Sequence, residues 1–166
     1  MNEQYKPAIV AGIICGIVLV ILSFLNFTIN GLIISGPVTN TSNVWAIFLS
    51  ITIVRQVLEI ITFLGSGLLS ARLAARHIHN LNDAAVLGAI TATVGELINL
   101  PFTLVLSFVT PYIWPGIAQN MNINASSTVF ATISATGQLI CCFPVMLVVG
   151  IIVSIIGAAA YTIIKQ

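Results

Sequence analysis

Arg55 and Glu59 stand one helical turn apart in IVRQVLEIITF, residues 53–63, within a long and mainly apolar run. Opposite charges four residues apart share a helix face and can neutralise each other. A second carboxylate, Glu96, occurs in GELINLP, residues 95–101, with Asn99 three residues further along the same face. Such a set could do one of three things. It could form an ion group that fixes which helix faces meet. It could bind a proton or a cationic solute. It could act as general acid or base on a lipid.

The surroundings narrow the choice of protein class. Of 166 residues, 58% are hydrophobic and 5% charged, against roughly 25% charged in soluble domains. Mean hydropathy is +1.13. That is too little charge for a water-facing surface, and the length suits a single domain, 1–166, with no separate soluble module. A net charge of +1 gives no basic field for nucleic acid. Cys15, Cys141 and Cys142 lie in apolar runs without CxxC or metal-ligand spacing, so they are read as small packing residues. No HExxH, GxSxG, phosphate loop or thiol pair names an enzyme class, and no cofactor is implied. His77, His79 and Asp83 read as a solvated loop rather than a metal site.

Four apolar stretches, about 8–34, 44–71, 84–110 and 129–164, reach the roughly 20 residues a spanning helix requires. The first is longer than the roughly 7–15-residue core of a signal peptide, and more membrane follows it. The fold class expected is an all-α integral membrane protein, a four-transmembrane-helix up-down bundle. The last stretch is about 50 Å long as a straight helix, so it should tilt, project, or bend at Pro144.

Lys6, Arg72, Arg76 and Lys165 flank the spans on one side, while the connections 35–43 and 111–128 carry no charge. Positive residues mark the cytoplasmic side, so both termini and the RHIHNLND loop are expected there, in a multi-pass cell-membrane protein. Aromatic residues agree: Tyr5 and Tyr161 fall at the inner interface, Trp45, Tyr112 and Trp114 at the outer one. The triplets Asn40-Thr41-Ser42 and Asn124-Ala125-Ser126 in the uncharged connections are compatible with an external location.

Arg55, Glu59, Thr62, Ser66 and Ser70 follow steps of three and four along span two. Ala84, Gly88, Ala92 and Glu96 form a ridge on span three, continued by Asn99 and Thr103. Counted from Arg72 and from Asp83, Glu59 and Glu96 each lie about 20 Å from the inner end; Arg55 is about one turn further out, and Gln138 on span four falls near that level. A charge at mid-bilayer costs about 2.5–3.5 kcal/mol on insertion scales, so Arg55, Glu59, Glu96, Asn99 and Gln138 should turn inward and meet. One arginine cannot match two carboxylates. Glu96, with no basic residue on its own helix, is the one expected to carry a proton.

Small residues predict where helices approach closely: Ala8, Gly12 and Gly16; Gly67, Ala71 and Ala75; Gly88 and Ala92; Gly150, Ser154 and Ala158. The similarity of AIVAGIICGIV from Ala8 to AAVLGAITATV from Ala84 hints at duplication, although shared small-residue packing also produces it. Partners expected are the lipid bilayer and a second copy or a membrane-complex subunit. Three functions remain: a structural or accessory membrane subunit whose buried Arg/Glu cluster joins helices; a small oligomeric proton- or cation-coupled transporter or channel subunit; and a membrane-embedded lipid-modifying enzyme.

Overall fold

The computed structural model describes residues 5–35, 41–76, 78, 80–113, 132 and 136–165. Its elements are α1 (Lys6–Ser35), α2 (Thr41–Leu73), α3 (Leu81–Ile113), a π-helical turn (Gln138–Cys142) and α4 (Phe143–Lys165). Four helical segments, Lys6–Leu32, Leu49–Leu73, Leu81–Thr110 and Leu139–Ile164, are long and apolar enough to cross a membrane. Helix is the state such a chain must take in hydrocarbon despite its many β-branched residues, because only a helix or a closed barrel satisfies every backbone donor and acceptor.

Local chemistry explains where the helices begin and end. Asn80 caps α3: its Oδ1 accepts the Asp83 N–H at 2.9 Å, and the Asp83 carboxylate sits in the positive first turn. The helix therefore starts at Leu81, three residues before the apolar run that announces it. Arg72 occupies the last turn of α2, where a cation suits the carbonyl end. The fourth apolar run is not one regular helix. Pro144 has no N–H for the Ile140 carbonyl and its ring crowds that oxygen, and the wider π turn immediately before it relieves the clash.

Helix directions follow from residue contacts. Gly12 approaches Thr91 and Val94, and Gly16 approaches Gly95 and Ile98, so α1 and α3 run parallel. Gly150 meets Phe63 and Gly67 meets Ser154, so α2 and α4 are parallel too. Ala8 clusters with Ala74, and Cys15 and Leu19 with Phe63, which makes α1 antiparallel to α2. Ala84 with Ala158 and Gly88 with Ser154 make α3 antiparallel to α4. Direction alternates along the chain as expected. The spatial order does not follow the chain, however. Helix α1 packs on α2 and α3, α4 packs on the same two, and α2 and α3 meet more narrowly as the short diagonal between them.

Side chains are divided accordingly. Phe63, Leu19, Cys15 and Ala92 are buried at the centre, whereas Ile17, Ile21, Val54, Ile61, Val145 and Ile152 are more than half exposed. Those aliphatic surfaces are what a lipid-facing exterior consists of. Hydroxyls inside the bundle bond mostly to their own helices: Ser66 Oγ donates to the Phe63 carbonyl at 2.9 Å and Ser70 Oγ to the Gly67 carbonyl at 2.8 Å. The polar stripe on α2 is thus largely satisfied along its own helix.

The duplicated small-residue ridges do not play equivalent parts. Gly12 and Gly16 face α3, but their counterparts Gly88 and Ala92 lie on a helix whose Gly88 is pressed against Ser154 and Ile155 of α4. The sequence similarity reflects a shared need for close approach rather than a repeated arrangement.

Candidate functional site

The two helices of the short diagonal carry the charged residues. On α2, Arg55 Nε donates to Glu59 Oε1 at 2.7 Å, an i,i+4 pair whose side chains are 27% and 5% exposed. On α3, Glu96 and Asn99 are 4% and 6% exposed. A cleft of about 30 Å³ brings these four side chains together. Thr103, one turn beyond Asn99, Cys142 from the π turn, and Phe143 and Met146 from the start of α4 complete its walls. About 10–15 Å³ of such volume admits one water, so the cleft has room for a water or two and nothing larger.

Each wall is held by its neighbours. Asn99 accepts a hydrogen bond from Ser23 Oγ of α1 at 3.2 Å through Oδ1. The Ser23–Asn99 bond ties α1 to the site and contributes about 0.6 kcal/mol, typical of interhelical bonds in membranes. Thr103 Oγ1 donates to the Leu100 carbonyl at 2.9 Å, keeping its oxygen available as an acceptor. Behind Glu96, the Cys15 thiol of α1 packs against Gly95. The π turn places Cys142 at the cleft, and Cys141 and Cys142 are both exposed.

Arg55, Glu59, Glu96 and Asn99 therefore surround one space, on the faces that the steps of three and four select. Glu96 has no ion pair within 4 Å among the described residues. Gln138 begins the π turn, but its side chain, like that of Trp45, lies outside the described residues. So do His77, His79, Asn40, Trp114 and the triplet at Asn124. Among the described residues no group of three or more His, Cys, Asp or Glu is placed to hold a metal.

The small residues occupy interfaces. A methyl group placed on Gly67 would overlap the Ser154 carbonyl oxygen; on Gly12 or Gly16 it would lie 2.7 Å from the Cβ of Val94 or Ile98. Gly150 accommodates the Phe63 ring, and Ala92 is fully buried beside it. Gly157, which approaches the Leu64 carbonyl in the same manner as Gly67 approaches Ser154, was missing from the ridges read in the sequence. So was Ser23, although it lies two turns beyond Gly16 on the same face.

Chemically, the arrangement can hold two helices together by charge, and can hold a proton, a water or a small bare cation between carboxyls. The cleft itself is too small for an organic substrate. Comparison with known protein families, with curated proteins and with solved structures finds no match to this chain. What the fold and site define is an all-helical protein with four candidate membrane spans and a buried ion pair.

Proposed function

We propose that the chain is a multi-pass cell-membrane protein of structural or accessory role, in which the Arg55–Glu59–Glu96 cluster joins α2 to α3. The observation that carries this reading is the inward placement of all three groups around one small cleft, on helices whose outer faces are aliphatic. A cluster of this kind fixes helix register, since any other pairing of faces leaves a charge against hydrocarbon. Both termini and the loop after α2 lie on the cytoplasmic side, as the distribution of Lys and Arg favours. The lipid bilayer is the solvent, and a second copy or another membrane subunit is the natural partner of a protein with this role.

A proton- or cation-coupled transporter or channel subunit is the second reading, favoured by the two carboxyls that line the cleft. With room for only a water or two, conduction would need an assembly of several copies. Proteoliposomes decide between the two. The structural role predicts no pH-driven ion flux from the parent protein. Flux that disappears in Glu96→Gln would establish transport instead.

Orientation has its own test. A single cysteine at the exposed Arg76, in a background with the native cysteines replaced, should react with a membrane-impermeant maleimide in inside-out vesicles and stay unlabelled in intact cells. Labelling in intact cells would reverse the topology.

A further inference from the structure

We infer that the cleft between α2, α3 and α4 holds one exchangeable positive charge, either a proton or an alkali cation, between the carboxyls of Glu59 and Glu96. The inference deepens the proposed role and rests on the cluster lying inside the membrane.

It starts from charge. Glu59 and Glu96 bring two negative charges to the cleft and Arg55 one positive, a net of minus one in a space shielded from water. The other basic residues, Lys6, Arg72, Arg76 and Lys165, all belong to the ends of helices or the loop after α2. The remaining titratable groups facing Glu96 are the thiols of Cys15 from α1 and Cys142 from the π turn, and neither is a cation. An unmatched carboxylate in this setting draws in a counter-charge, because burial without one costs several kcal/mol.

Geometry selects the position. The Arg55 guanidinium is engaged along its own helix by Glu59 at 2.7 Å, while Glu96, 4% exposed and without an ion pair among the described residues, lines the same cleft. The Thr103 oxygen, whose proton goes to the Leu100 carbonyl, adds a neutral ligand. Carboxylate and hydroxyl oxygens are the ligands hard cations prefer, and carboxylate oxygen is also where a proton binds. About 30 Å³ admits a hydronium or a dehydrated sodium or lithium ion and excludes a hydrated one.

The test uses the full chain in lipid nanodiscs, read by infrared spectroscopy of the carboxyl groups and by the thermal unfolding midpoint. Spectra are taken over a pH series without alkali ions and then with added sodium chloride, using choline chloride as ionic-strength control. If the charge is a proton, one protonated-carboxyl band is present at neutral pH without sodium. It vanishes in Glu96→Gln and also in Glu59→Gln, where Arg55 alone balances the carboxyl that remains. Its area doubles in Arg55→Gln. If the charge is an alkali cation, that band is absent, and sodium but not choline raises the unfolding midpoint and shifts the carboxylate bands. Both responses are then lost in either Gln variant.

The absence of both a protonated band and a sodium response overturns the inference, and so does a response that survives in both Gln variants. Glu96→Asp, which keeps the charge, should preserve the parent response and guards against reading a folding defect as lost binding. If the cleft proves to hold no counter-charge while the Arg55, Glu59 and Glu96 substitutions still couple in stability, the inference fails and the structural role stands. Loss of the coupling as well would remove both.

Discussion

Arg55→Gln should destabilise the protein by about 3 kcal/mol, the lower end of the 3–5 kcal/mol typical when one partner of a buried ion pair is removed. The lower end applies because the Arg55 side chain is 27% exposed, so part of its field reaches outside the bundle. What remains after the substitution is Glu59, 5% exposed, and Glu96 on the same cleft, two carboxyls with no cation between them. Arg55→Lys should recover part of the loss, since it restores the charge but not the planar donor that meets Glu59 Oε1. Replacing Arg55 with Met, Glu59 with Leu and Glu96 with Gln together should return stability close to the parent, because a buried ionic group exchanged whole for well-packed neutral residues costs little. Denaturant or thermal unfolding in a fixed detergent measures the series. A parent-like Arg55→Gln would show that its charge meets nothing in the bundle.

Gly67→Ala should disrupt the α2–α4 interface, with a loss of about 3 kcal/mol or failure to fold. The added methyl carbon would overlap the Ser154 carbonyl oxygen and sit 2.9 Å from its Cα, so main chain must move against main chain. No rotamer change can relieve that contact. Gly65, two residues earlier on the same helix, has nothing within 4 Å of the corresponding position. Gly65→Ala should therefore be neutral or stabilise by up to about 1 kcal/mol, the difference in helix propensity between the two residues. The same substitution thus has opposite outcomes two positions apart. Equal effects at both sites, read as unfolding midpoints, would mean that α4 does not lie on Gly67.

Much of this arrangement is legible from residue spacing, and the reason is physical. Steps of three and four fix which residues share a helix face, and the cost of charge in hydrocarbon turns the face bearing Arg55 and Glu59 inward; the same reasoning applies to Glu96 and Asn99. Spacing says which face is used but not what it faces. Ala8, Gly12 and Gly16 match Ala84, Gly88 and Ala92 in sequence, yet Gly12 docks on Val94 of a parallel helix and Gly88 on Ile155 of an antiparallel one. Neighbour order is set by long-range fit between whole surfaces, and here it places α2 and α3 on the short diagonal. Pro144 signals a bend, but the widened turn at Gln138–Cys142 leaves no periodic trace in a run that is apolar on all sides. Ser23 passed unnoticed because one hydroxyl among aliphatic residues reads as incidental until Asn99 is opposite it.

The claim beneath all of this is that the carboxyls of Glu59 on α2 and Glu96 on α3 face one cleft, with Arg55, paired to Glu59, as the one arginine within reach of both. A double-mutant cycle on Glu59→Gln and Glu96→Gln, read as unfolding free energies in bicelles, tests it most directly. A shared arginine makes each single change mild, because Arg55 still has a carboxylate, and the double change costly, because the guanidinium is then alone; the sum should fail by more than about 1 kcal/mol. Additivity to within about 0.5 kcal/mol would put Glu59 and Glu96 in separate surroundings and contradict the claim.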